Sequence, residues 1–150
     1  MQTGRELFED YGAYHRDRRN LVCHEIGIPL IVLGIVALLR LIWIPWLSTT
    51  LAGAALVALV VYYCIAFGRV ERNATFGAFA GLMVIYFISA YIPWPYAIAA
   101  FVAGWIFQFV GHAYEGKSPA FLTNLSHLLV GPLWVASHVV PKSASSSSAP

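Results

Sequence analysis

Four histidines stand in two groups at opposite ends of the chain. His15 and His24 lie in YHRDRRNLVCHEIGIP; His112 and His127 lie in GHAYEGKSPAFLTNLSH. Imidazole suits iron, zinc, copper and nickel, and no thiolate cluster competes for such an ion. Cys23 and Cys64 are far apart in apolar surroundings without CxxC spacing, and read as small buried hydrophobes. Histidine and glutamate at the mouth of a membrane helix are costly to place and rarely idle. The residues therefore point to one metal shared by His15, His24, His112 and His127.

The spacing limits how that ion can be held. His15 and His24 are nine residues apart, so in one straight helix they sit about 180° apart and roughly 13 Å along the axis. A bend between them is required, and it is expected near Asn20. Asn20 and His24 are at i,i+4 and share a face, which lets Asn20 orient His24 from behind. His112 and Glu115 share a face at i,i+3, and Asn124 and His127 repeat that spacing. Glu115 either reaches the metal or is a solvated charge at the helix end. His138 follows His127 by eleven residues, about 16 Å along a helix, and is expected outside the site. Arg16, Arg18 and Arg19 suit either lipid phosphate or an acidic substrate.

The elements that position these groups read as membrane helices. The 150 residues are 59% hydrophobic and 11% charged, against about 25% charged in a soluble domain. A net charge of +2, with basic residues scattered, gives no sign of nucleic-acid binding. Residues 1–24 read as a polar surface helix, with Leu7, Phe8, Tyr11 and Tyr14 at helical spacing. No cleavable signal peptide is expected, because the first apolar stretch begins only at Ile26. Apolar runs at 26–46, 51–68, 76–92 and 96–111 predict four crossings. Trp43 and Trp46 mark an interfacial exit, and Ser48, Thr49 and Thr50 can cap the second crossing. Pro119 and Pro132 bound a further interfacial or re-entrant helix carrying His127.

Charge sets the orientation. With four crossings, Arg5, Arg16, Arg18, Arg19, Arg69, Arg72, Lys117 and Lys142 fall on one side, which places both termini in the cytoplasm. Arg40 disagrees and is expected to snorkel outward. All four histidines then reach the same membrane face; an odd count would divide them.

The fold class is thus all-α: a multi-pass membrane protein with about four transmembrane helices, an N-terminal interfacial helix and a C-terminal interfacial or re-entrant one. Residues 1–141 form a single domain and 142–150, KSASSSSAP, a disordered tail. Gly77-xxx-Gly81 suits close helix packing within the chain. The acceptor patterns at Asn73 and Asn124 face the cytoplasm in this topology and are expected to stay unmodified. No GxSxG, phosphate loop or dinucleotide fingerprint is present in the sequence.

The pattern His15, Asn20, His24 followed by GIP, together with GWIFQFVGH and the later PA and NL, resembles the 2-hydroxy fatty acid dioxygenase family. The likeness runs from about Tyr11 to Pro132, specific at its two ends and only hydrophobic in the middle. It implies an Fe(II) enzyme of fatty acid α-oxidation that shortens 2-hydroxy fatty acids by one carbon with O2. It implies iron on His15, His24 and His112, with His127 a fourth ligand and Asn20 and Glu115 orienting ligands or handling protons. An arginine among Arg16, Arg18 and Arg19 would steer the substrate carboxylate. The setting would be a bacterial inner membrane, or endoplasmic reticulum in a eukaryote, with membrane lipid as neighbour and a homo-oligomer allowed. Two rivals stand beside it: a haem-binding membrane electron carrier, and a non-catalytic lipid-binding scaffold. A di-iron hydroxylase needs about eight histidine ligands, and five histidines cannot supply them.

Overall fold

The computed structural model describes residues 4–13, 15–68, 71–116 and 127–140. Tyr14, Arg69, Lys117, Pro119, Asn124, Lys142 and the expected 142–150 tail lie outside the described residues. Among the described residues six α-helices carry the fold: α1 (Gly4–Ala13), α2 (Arg18–Leu39), α3 (Leu51–Ala66), α4 (Arg72–Ile88), α5 (Trp94–Glu115) and α6 (His127–Val139). A two-residue antiparallel pair, β1 (Trp43–Ile44) with β2 (Thr49–Thr50), closes the turn between α2 and α3. Ser48 makes that turn with a left-handed φ of 50°. Thr50 then caps α3 as the sequence suggests, its hydroxyl accepting from the Gly53 amide at 3.3 Å.

The long helices alternate in direction. Arg40, at the end of α2, bonds Tyr86 and Ser89 at the end of α4, so these helices run the same way. The α2–α3 turn starts α3 at that far end, and α3 finishes where its Tyr63 hydroxyl donates to the Leu129 carbonyl of α6 at 2.6 Å. Helix α5 runs back along α2. α2, α4 with the turn that follows it, and α5 are long and apolar enough to cross a membrane; α3 is apolar but shorter.

Glycines bring α2 and α5 together. A Cβ at Gly27 would sit 2.8 Å from the Gly104 carbonyl oxygen, and one at Gly104 would sit 2.7 Å from the Gly27 oxygen. Gly34 meets the backbone of Ala97 and Phe101, and Gly111 meets Asn20 and Cys23. Glycines seven residues apart on each helix therefore interlock, the close approach that small residues permit in membrane bundles. The Gly77-xxx-Gly81 pair divides its roles. Gly77 packs on Val140 and Ala136 within the chain, as expected, whereas a Cβ at Gly81 would meet open space.

The buried core lies at the histidine end. Tyr63, Phe67, Val130, Leu133 and Trp134 pack with Leu7 and Tyr11, and α6 is wedged among α1, α2 and α4. Outward-facing Val57, Val61, Phe76, Val84, Val102 and Ile106 are exposed, as a lipid-facing surface requires.

The expectation for the N-terminal residues is corrected here. Residues 1–24 are not one surface helix followed by a crossing from 26. Helix α1 ends at Ala13, residues 15–17 are not helical, and α2 begins at Arg18 and continues through Pro29 to Leu39. The Asp17 carboxylate accepts from the Arg19 amide at 2.8 Å and starts α2 before Asn20, so the bend falls ahead of Asn20. Arg40 finds its partners at the end of α4. Its guanidinium donates to Ser89 Oγ at 2.9 Å and the Tyr86 carbonyl at 3.0 Å, and lies 4.1 Å from the Tyr86 ring centre. Those acceptors at the end of α4 satisfy the charge locally.

Candidate metal centre

The break between α1 and α2 brings His15 to His24. Their Nε2 atoms lie 3.0 Å apart. His15 Nδ1 sits 2.7 Å from the Tyr11 carbonyl oxygen, and His24 Nδ1 sits 2.9 Å from the Asn20 carbonyl oxygen. A carbonyl only accepts, so both Nδ1 atoms carry hydrogen and both Nε2 atoms present lone pairs. Two lone pairs facing each other at this distance repel unless a cation lies between them. His112, arriving on α5, closes the set edge-on, its ring centre 5.3 Å from that of His15 and 4.9 Å from that of His24. Its Nδ1 is buried with no hydrogen-bond partner among the described residues.

One ligand atom from each of His15, His24 and His112 lies within 4.8 Å of the others, and all three rings are buried. Burial removes water from the charged form and pushes the His15 pKa down to about 4. The ring is therefore a neutral donor at ordinary pH, the form a metal requires. Tyr11 stacks on His15 with ring centres 4.2 Å apart and an interplanar angle of 15°, and Trp134 flanks it at 4.9 Å. The donor set fits a metal ion held by imidazoles. A haem would need a slot between two axial rings, and the direct contact leaves none between His15 and His24.

Glu115 is placed on the start of α2. Helix α5 runs one turn beyond His112 and ends at Gly116, whose left-handed φ of 67° suits glycine. The Glu115 carboxylate accepts from the Arg16 amide at 3.0 and 3.1 Å, the Asp17 amide at 2.8 Å and the Asn20 side-chain amide at 3.1 Å. It thus ties α5 to the segment beside His15, where an anion also complements the helix N-terminus. Asn20 does hold His24, but through its backbone carbonyl; its side chain serves the Glu115 bond.

His127 is buried on α6, edge-on to Tyr11 at 5.8 Å, with its Nε2 3.1 Å from Asp10 Oδ2. It lies outside the closely spaced trio yet lines the same chamber. Arg16, Arg18 and Arg19 are exposed, and none lines that chamber; Arg19 lies over the Tyr114 ring at 5.3 Å. His138 is exposed on α6 and bonds the Trp134 carbonyl, away from the trio as expected.

The chamber is a cavity of about 170 Å³ headed by the histidines. It runs down α2 past Ile28 and Val32 to Ile35, which is 40% exposed. His24 to Ile35 spans about 16 Å of helix, so a polar head grades into an apolar slot. Across Ile28, Val32 and Pro132 lies a second cavity of about 190 Å³, lined by apolar residues and glycine.

The sequence reading missed Tyr11 as a ring packed on the site, Asp10 as the partner of His127, and Gln108 as a chamber residue. Gln108 is 6% exposed and lies one turn before His112. Its signal was present: an amide inside an apolar membrane helix is expensive unless it has a task.

A sequence model described as 2-hydroxy-palmitic acid dioxygenase Mpo1-like matches residues 1–76 and 69–143. The chain is 29% identical over 127 residues to the 2-hydroxy-palmitic acid dioxygenase MPO1 of Saccharomyces cerevisiae, an alignment covering 80% of this chain and 69% of the relative. No solved structure matches. With both halves of the chain matched, and the three clustered histidines inside the matched residues, the chain belongs to the 2-hydroxy-palmitic acid dioxygenase Mpo1-like family.

Proposed function

We propose that this chain is an Fe(II)-dependent membrane oxygenase that shortens 2-hydroxy fatty acids by one carbon. The observation that carries this reading is the buried trio His15, His24 and His112 at the head of an apolar slot. Those three histidines would hold the iron, with His127 as a fourth ligand from the same chamber. The yeast relative's activity supports the substrate class.

The net reaction takes a 2-hydroxy acid and O2 to the acid one carbon shorter, CO2 and water. Four electrons leave the substrate and reduce O2 fully, so no nicotinamide or flavin is required. Bound iron would supply the redox chemistry. The protein supplies the rest. Tyr11 and Asn20 carbonyls fix the tautomers of His15 and His24, and Glu115 fixes the segment that carries His15. Ile28, Val32 and Ile35 shelter the acyl chain and exclude water.

The same reading includes four crossings with the site and both termini cytoplasmic. The antiparallel run of α2 and α5 supports it, because α4 is long enough to cross and α3 must then return the chain. Anaerobically purified protein should contain one equivalent of iron and consume O2 with 2-hydroxypalmitate, releasing a 15-carbon acid. Zinc in place of iron, or no O2 uptake, overturns the reading.

A further inference from the structure

A site for 2-hydroxy acids must distinguish them from ordinary fatty acids before any chemistry begins. We infer that Gln108 reads the 2-hydroxyl group of the substrate and is the residue that sets this preference. The inference rests on the oxygenase reading for its ligand class.

Gln108 is 6% exposed, and its Nε2 is buried with no hydrogen-bond partner among the described residues. Leaving an amide unpaired in an apolar setting costs free energy that a ligand can recover. The side chain lines the chamber that the histidines head. It also sits against the bare backbone of Gly27, where a Cβ would lie 2.5 Å from Nε2, so the helix crossing leaves room for an amide there. Isoleucine, valine, leucine and proline make up most of the wall beyond it.

Position and chemistry agree. Helix α5 approaches the site end as it runs, so Gln108 lies one turn deeper than His112, about 5–6 Å along the axis. A substrate with its carboxylate at the histidines brings its next carbons past Gln108. A neutral amide both donates and accepts, which matches a hydroxyl; it brings no charge to attract a carboxylate. A site that bonds a substrate hydroxyl discriminates against the analogue lacking it, because the buried amide then stays unpaired.

The test is binding to the metal-loaded protein in detergent without O2, so that no turnover occurs, followed through tryptophan fluorescence, since Trp105 lines the chamber. Wild-type protein should bind 2-hydroxypalmitate about tenfold more tightly than palmitate, the scale of one hydrogen bond. Gln108→Leu should bring that ratio to about one while keeping palmitate affinity. If leucine prevents folding, Gln108→Asn, an amide one methylene shorter, should lower the ratio several-fold. An unchanged ratio in the folded variant, or no preference in the wild type, overturns the assignment. Iron content and O2 uptake of the loaded wild type are measured separately. Their failure sinks the oxygenase reading, whereas an unchanged ratio beside intact turnover sinks only the role of Gln108.

Discussion

His15 and His24 meet ring nitrogen to ring nitrogen at 3.0 Å, with each opposite nitrogen held by the carbonyl four residues before it. Neither lone pair can turn away without breaking a buried hydrogen bond. The pair is therefore preset for a cation, and His112 offers a third donor.

Single replacement of His15, His24 or His112 by alanine should reduce bound metal to below a tenth of an equivalent, read by elemental analysis. His127→Ala should retain part of the metal, and His138→Ala all of it, because His138 is turned toward Trp134. Full metal retention in His24→Ala would show that these rings serve packing only.

Removing the metal should loosen the fold. A ligand present at 100 times its Kd stabilises the folded state by about 2.7 kcal/mol. At roughly 2–4 °C per kcal/mol for a domain near this size, chelation should lower the Tm by about 5–10 °C. His24→Ala should melt at the same temperature with and without chelator. A chelator-dependent shift that survives in this variant would place the stabilising ion elsewhere.

Glu115→Ala should weaken metal binding about 10–100-fold, the usual cost of losing a group that orients ligands. The carboxylate holds the Arg16 and Asp17 amides, and through them the position of His15. Asp17→Ala removes only a helix cap and should cost about 1 kcal/mol of stability with metal affinity nearly intact. Competition with a metal-binding dye separates the two outcomes. Equal affinity losses in both variants would show that the helix start, rather than the Glu115 clamp, governs the site.

Gly104→Ala should destabilise the bundle by about 1–3 kcal/mol, the range for overpacking. Its new methyl would lie 2.7 Å from the Gly27 carbonyl oxygen and 2.8 Å from the Ile31 amide nitrogen, and backbone cannot step aside. Gly81→Ala meets open space inside a helix and should stabilise by roughly 0.5–1 kcal/mol. Thermal melts in one detergent compare them; a neutral Gly104→Ala would mean the α2–α5 crossing is looser than described.

Much of this protein was legible in its residues. Apolar runs announced helices, because a chain with so few charges has little else to place in lipid. The imidazoles announced a cluster, and nine-residue spacing demanded a break between His15 and His24. Gly111, directly before His112, lets α5 approach α2 closely against Asn20 and Cys23. Where that break falls was a tertiary decision, since Asp17 and the distant Glu115 together start α2 at Arg18. The acceptors of Arg40 were hidden for a similar reason: Tyr86 and Ser89 are more than forty residues away. Asp10 and Tyr11 have no local spacing to the histidines of the other segment, so only packing discloses them. Periodicity and composition act along the chain. A site made from a bend, a helix end and a wedged sixth helix is set by contacts across it.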